Sequence, residues 1–256
     1  MKKIIFTGIF IFLSAITLFW YKSKPQQDTS NLLIVGTNAE YQPFTFVRNK
    51  EIVGFDIDIA TEVANRLNKK IEIRDMPFDG LLPEIMRGGV HIIAAGMTPT
   101  DKRAERMFFT KPYLSGDSLL VITKKDGPVI TTVDDLRNKA VIVNEGYTAD
   151  MYLSGIDGID PVRLPTPADA FMAIKTGQAD AFVAAQSTIK PFLSQQNYTN
   201  DIHTSNYKIT QLDHTGDEYA LAVSKKYPGL LPQIQTILDQ MEQDGTLNIL
   251  KNKWGF

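Results

Sequence analysis

The chain has 256 residues, 43% hydrophobic and 22% charged, a globular composition sufficient for one large or two small domains. Its 27 basic and 29 acidic side chains leave a net charge of −2 without a basic stripe, which argues against nucleic-acid binding. There is no cysteine, so disulfides, thiolate metal sites and a cysteine-linked lipid anchor are excluded.

Lys2 and Lys3 precede an uncharged apolar stretch, Ile4–Tyr21, and residues 22–30 are polar and carry Pro25 and two glutamines. That order is the architecture of an export signal. The stretch is long for a signal and short for a spanning helix, and no small-x-small cleavage site stands out. Residues 1–30 are therefore expected to be a signal peptide or an N-terminal anchor. The expected location is periplasmic or otherwise extracytoplasmic. Without residues 1–30, which hold four lysines and one aspartate, the body has 23 basic and 28 acidic side chains and a net charge of −5. A body of that sign gains nothing from anionic lipid headgroups.

From residue 31 onward, short apolar runs alternate with helical periodicity. Leu32–Thr37 reads as a strand. Asp56–Lys69 reads as a helix with Ile59, Val63 and Leu67 on one face. Ile71–Met76 is a predicted strand, Leu81–Arg87 a helix stopped by Gly88-Gly89, and His91–Ala95 a buried strand. Further strands are predicted at Leu119–Thr123, Ala140–Asn144, Val162–Leu164 and Asp180–Ala184. Thr98-Pro99-Thr100-Asp101 and Thr166-Pro167-Ala168-Asp169 each offer a capping Thr, a Pro at the first helical position and an acid at the third. Leu231, Ile234, Leu238 and Met241 form one apolar face that ends at Asp244-Gly245, and a short helix carries Leu247, Leu250 and Trp254. The alternation predicts α/β units with mostly parallel sheets.

Catalytic motifs are missing. His91, His203 and His214 lack metal-ligand spacing, and there is no nucleophile elbow, P-loop or dinucleotide fingerprint. His91 opens an apolar strand and is expected to be structural. No cofactor is implied.

Three strand ends look suited to binding, because open α/β sheets hold ligands beyond the carboxyl ends of their strands. The first is Gly36–Phe44, where Tyr41 is the ligand candidate and Phe44 reads equally as core. The second is Ala94–Arg103, where small residues admit a ligand to the backbone. A helix start there suits a carboxylate, and Arg103 could add a bidentate contact. The third is Val143–Thr148, a βα turn with a second helix start at Thr148.

Gly36-Thr37-x-x-x-Tyr41-x-Pro43-Phe44 followed by Val53-Gly54-Phe55-Asp56-Ile57-Asp58 resembles the opening of the polar amino-acid-binding family of ABC importers. Phe78-Asp79-Gly80-Leu81, Gly96–Arg103, Asp244-Gly245-Thr246-Leu247 and Lys253-Trp254-Gly255 continue the likeness, in order, across residues 31–256. The resemblance implies a two-lobed periplasmic-binding-protein fold. One lobe would be 31–118 with 216–256, the other 119–215, with hinges near Leu119–Thr123 and Tyr219–Val223. It implies a monomeric receptor that closes on a free amino acid and docks on importer membrane subunits, with no catalysis. Tyr41 and Phe78 would sandwich the ligand side chain, faced by Asn38. Gly96 and Thr98 would meet the α-ammonium, and Thr98, Arg103 and Thr148 the α-carboxylate; Met97 belongs to the same wall. The family's usual acid after the Asp180-Ala181 strand falls on Ala185, so either Gln186, Asp217 or Glu218 replaces it or the ligand lacks a standard α-ammonium. Asn38 stands where basic-amino-acid binders carry Asp, and Glu40, two residues on, could supply that charge. Arginine is slightly favoured over glutamine. Two alternatives stay open: an exported enzyme like cyclohexadienyl dehydratase, and a ligand-sensing adaptor domain.

Overall fold

The computed structural model describes residues 31–195, 206–214 and 216–256. The expected signal or anchor over 1–30 lies outside them. Strand β1 (Leu32–Thr37) leads into an antiparallel meander of β2 (Glu40–Tyr41), β3 (Thr45–Arg48) and β4 (Glu51–Val53), then helix α1 (Phe55–Arg66). β5 (Lys70–Asp75), α2 (Phe78–Arg87), β6 (Ile92–Ile93), the short α3 (Asp101–Ala104), β7 (Phe108–Phe109) and β8 (Leu114–Asp117) follow. The middle of the chain holds β9 (Leu119–Lys124), β10 (Val141–Asn144), α4 (Thr148–Leu153), β11 (Val162–Leu164), α5 (Pro167–Thr176), β12 (Ala181–Ala185), α6 (Gln186–Gln195) and β13 (Tyr207–Gln211). The chain closes with β14 (Asp217–Tyr219), β15 (Ala222–Val223), α7 (Leu230–Gln243) and α8 (Thr246–Trp254).

Two five-stranded sheets result, ordered β5-β1-β6-β15-β7 and β11-β10-β12-β9-β13. Each has a parallel part and an antiparallel part. β1 runs parallel to β6, and β10 parallel to both β11 and β12. β15 is antiparallel to β6 and β7, and β9 to β12 and β13. The second sheet is covered on both faces, which is why its central strands β9, β10 and β12 read as apolar runs. Leu119, Val121, Val141, Val143, Ala181 and Val183 face one cluster, and Leu120, Ile122, Ile142 and Phe182 the other, the alternation of an extended chain. In the first sheet Leu33 and Val35 pack with Phe55, Ile59 and Val63 of α1 and with Ile234 and Leu238 of α7.

Local chemistry explains several helix ends. Thr166 caps α5 by accepting the Asp169 N–H at 3.1 Å, with Pro167 in the first helical position. Gly88 ends α2 with a left-handed φ of 81°. At the other expected cap, Thr100 rather than Thr98 accepts the Arg103 N–H, and α3 has only four residues. The reason is tertiary. The Met97 carbonyl accepts the Ala220 N–H and the Thr98 carbonyl accepts Arg103, so the chain stays open until residue 100. His91 is structural, its Nδ1 accepting the Ile34 N–H at 3.1 Å. Phe44 is fully buried and packs on Tyr41 and Tyr219, a core residue.

Of the expected hinge stretches, Leu119–Thr123 lies in β9 of the second sheet, while Tyr219–Val223 begins at the last residue of β14 and runs into β15 of the first. The chain passes between the sheets along β8 and returns along β14, and among the described residues these two strands pair with each other alone.

The Gly54 motif has a steric cause. The first N–H groups of α1 are taken by the carbonyls of the preceding aromatic loop: Phe55 N–H to Pro43 and Asp56 N–H to Phe44, both at 3.0 Å. Gly54 has φ +147°, and a Cβ there would stand 2.0 Å from the Phe44 carbonyl oxygen. Gly54→Ala is expected to lower unfolding stability by roughly 1–3 kcal/mol, from left-handed strain and the displaced carbonyl. Gly229→Ala, at φ −68° with open space around it, should change stability by less than about 0.5 kcal/mol. Urea unfolding of both variants measures the contrast, and equal effects would refute the steric account.

Candidate functional site

The carboxyl ends of both sheets face a cleft lined by Tyr41, Phe78, Gly96, Thr98 and Arg103 from one side and by Asn144, Tyr147, Thr148 and Ala185 from the other. Asp217 and Tyr219, on the returning strand β14, complete it. Six of the ten residues expected from sequence thus come together: Tyr41, Phe78, Gly96, Thr98, Arg103 and Thr148. The other four stand outside this lining. Met97 is buried at 2% exposure. Gln186 opens α6, its N–H donated to the Ser118 carbonyl. Asn38 donates to the Met76 carbonyl at 3.3 Å and to Glu40 Oε2 at 3.4 Å. Asn38 and Glu40 are therefore side by side, but Glu40 lines a separate cavity of about 240 Å³ between the β2–β3 loop and α6, which shares Tyr41 with the cleft.

Arg103 is held where the two sides meet. Its Nη1 donates to the Thr98 carbonyl at 2.8 Å and its Nη2 to the Gly146 carbonyl at 2.9 Å, across the cleft. The guanidinium lies 5.5 Å from the centre of the Phe78 ring. Burial brings its pKa down to about 10, opposed by the negative charge of Asp217, so it remains a cation at neutral pH. α3 has four residues and α4 six, too short for a strong macrodipole, so the side chain carries the positive field here.

Of the three residues considered as replacements for an acid at Ala185, Asp217 is the one that lines the cleft. It is buried, and its Oδ2 accepts the Thr148 hydroxyl at 2.5 Å. Burial pushes its pKa up to about 6; the Thr148 hydrogen bond and Arg103 pull the other way, and Asp117 adds to the rise. Glu218, by contrast, is exposed and contacts Ser115. Asp117 is occupied elsewhere, accepting the Tyr219 hydroxyl at 2.5 Å and the Ser187 N–H at 3.0 Å. Tyr41 joins this network, its hydroxyl 3.0 Å from Ser187 Oγ and 3.1 Å from the Tyr219 hydroxyl. Gly96 has φ +58°, and a Cβ there would meet the Tyr41 ring at 2.5 Å, so only glycine lets that ring lie on the strand end.

Asn144 and Tyr147 fall within the Val143–Thr148 turn marked as a binding segment, where only Thr148 was assigned a contact; Asn144 ends β10 and Tyr147 stands at the N-cap position of α4. Tyr219 carries no local signal.

Among the described residues no cluster of His, Cys, Asp or Glu could hold a metal ion, and no helix is long and apolar enough to cross a membrane. The arrangement instead pairs a buried cation with a buried acid between aromatic walls.

A family profile for bacterial extracellular solute-binding proteins, family 3, matches residues 33–256. A probable histidine-binding protein of Campylobacter jejuni is 29% identical over 250 residues, covering 97% of this chain and 94% of that protein. Among solved structures, a mutant of ArgBP from T. maritima is 34% identical with a TM-score of 0.79, covering 88% of this chain and 96% of its own. An ancestral arginine-binding protein bound to glutamine is 31% identical, also with a TM-score of 0.79, covering 88% and 98%.

The raised pKa of Asp217 has a sign that can be measured. Its folded value of about 6 lies above the ordinary 3.8, so its contribution to stability is full below about 4 and is lost as pH rises through 6. Asp217→Asn removes that loss. The stability of the variant relative to the parent should rise by about 1–3 kcal/mol between pH 4 and pH 8. Asp56 titrates in the same window in both proteins and cancels in the difference. A flat difference would mean that Asp217 ionises normally.

Proposed function

The chain belongs to the bacterial extracellular solute-binding proteins of family 3, and on that premise we propose that it captures a polar or basic L-amino acid outside the cytoplasm for an ABC importer. The observation that carries this reading is the placement of Arg103 and Asp217 on one cleft. A free amino acid has a carboxylate and an ammonium a few bonds apart, and a buried guanidinium with a buried carboxylate matches both ends. Arg103 and the Thr98 backbone take the α-carboxylate. Asp217, with the Gly96 carbonyl, takes the α-ammonium. Tyr41 and Phe78 offer flat faces to the side chain.

The lobes are residues 31–118 with 216–256, and 119–215. They move about the paired strands β8 and β14, and closure is driven by ligand contacts available only when both sides meet. Membrane subunits of the importer receive the loaded protein, which acts as a monomer after export by its N-terminal segment. The ligand leaves unchanged, without covalent chemistry. Arginine is placed ahead of glutamine, supported by the names of the solved neighbours and by Glu40 at the adjoining cavity.

Calorimetric titration with the free amino acids tests the reading, with mass spectrometry showing the ligand intact afterwards. Arg103→Ala is expected to cost roughly 2–5 kcal/mol of affinity, the range for removing one partner of a buried charge pair. An effect smaller than twofold would remove Arg103 from the carboxylate site. Failure to bind any amino acid would overturn the receptor reading.

A further inference from the structure

The open volume of the cleft is about 20 Å³, room for roughly one water. Side chains fill the rest, and the ring at the centre is Tyr147. Its centroid is 4.6 Å from that of Phe78 and 5.6 Å from that of Tyr41, tilted against both. It thus occupies the space between the two aromatic faces that the proposed function assigns to the ligand side chain. Burial raises the pKa of its phenol, with the charge of Glu40 adding to the rise and that of Arg103 opposing it. The residue before it, Gly146, presents its carbonyl to Arg103.

Two further facts bear on how firmly the ring is held. Tyr147 is 8% exposed, yet its hydroxyl has no hydrogen-bond partner among the described residues. A buried hydroxyl without a partner is unfavourable, and a rotation that brings it to water recovers that loss. Packing alone keeps the ring in place, and packing against two rings can be exchanged for packing of a ligand side chain against the same rings.

We infer that Tyr147 sets the length of side chain the cleft accepts: once the lobes part to admit the ammonium and the carboxylate, a short side chain leaves the ring in place, whereas one long enough to enter between Tyr41 and Phe78 must displace it. This rests on the reading of the cleft as an amino-acid site. It assigns a selectivity role to a residue on the turn between β10 and α4, separate from the groups that hold the carboxylate and the ammonium.

The test is calorimetric titration of arginine, glutamine and alanine into the full chain and into Tyr147→Ala and Tyr147→Trp, each checked for cooperative melting. Tyr147→Ala should tighten arginine and glutamine by about tenfold, the equivalent of aromatic packing the ligand no longer has to displace. Alanine should stay within about threefold, because it never reaches the ring. Tyr147→Trp should weaken arginine and glutamine more than alanine, and this arm stands if the alanine variant does not fold. Weaker binding of the long ligands to Tyr147→Ala, or one common change for all three, overturns the inference while leaving the receptor reading intact. No binding of any of the three amino acids by any of the proteins overturns both.

Discussion

A carboxylate with no access to water organises the binding face. Asp56 is 0% exposed, and its Oδ2 accepts the Gly96 N–H at 2.7 Å. Tyr113 lies against it, and burial pushes its pKa up to about 6. Such a group is costly to bury, but it sits in the first turn of α1, where the positive end of the helix dipole favours negative charge. The bond pins the end of the strand that carries Gly96 to the start of α1, and α1 itself is fixed by the carbonyls of Pro43 and Phe44. Three separate stretches of sequence are thereby tied together through Asp56, by its side chain to Gly96 and by its N–H to Phe44. Tyr41 then lies on Gly96 because glycine leaves the space. The aromatic wall of the cleft is a consequence of this tie.

The cleft continues the same economy of buried charge. Arg103 is satisfied by two carbonyls, one from each side, and Asp217 by a hydroxyl from the opposite side. Neither ion is paired tightly with the other. Carbonyls and a hydroxyl are weaker partners for ions than an opposite charge. A zwitterion that offers a carboxylate to one and an ammonium to the other improves both at once, which is the physical basis for ligand-driven closure on the proposed reading.

Much of the fold was legible from sequence because it is locally determined. Thr166-Pro167 announces α5 by cap chemistry alone, and β11 falls on the expected Val162–Leu164. The central strands β9, β10 and β12 of the second sheet are legible because burial on both faces makes them almost wholly apolar. Legibility fails where a distant residue decides. The choice of Thr100 over Thr98 as the α3 cap depends on Ala220, more than a hundred positions away. The expected strand His91–Ala95 shortens to Ile92–Ile93. In the cleft, Arg103 was marked by its spacing from a helix start, and Tyr41 by its place at a strand end. Asp217 was one of three substitutes for the acid absent at Ala185, and only the return path of β14 separates it from Gln186 and Glu218. Tyr147 has no sequence signal for its role, since its neighbours Tyr41 and Phe78 reach it only when the two sheets face each other.

The crossing strands have one more property. Asp117 and Asp217 are register partners, directly opposite each other on the two-stranded ribbon β8–β14. Like charges in that position repel, so on the proposed reading, in which the lobes turn about this ribbon, the electrostatic load lies at the fulcrum. A rotation moves the rims of the cleft far and the fulcrum hardly at all. A cation lodged beside Asp217 therefore acts at zero lever arm: it cannot pull the lobes together by reach, but it relieves the repulsion that opposes a compact pivot. Charge at the axis would then govern how long the jaws stay shut, and side-chain contacts at the rim how readily they meet.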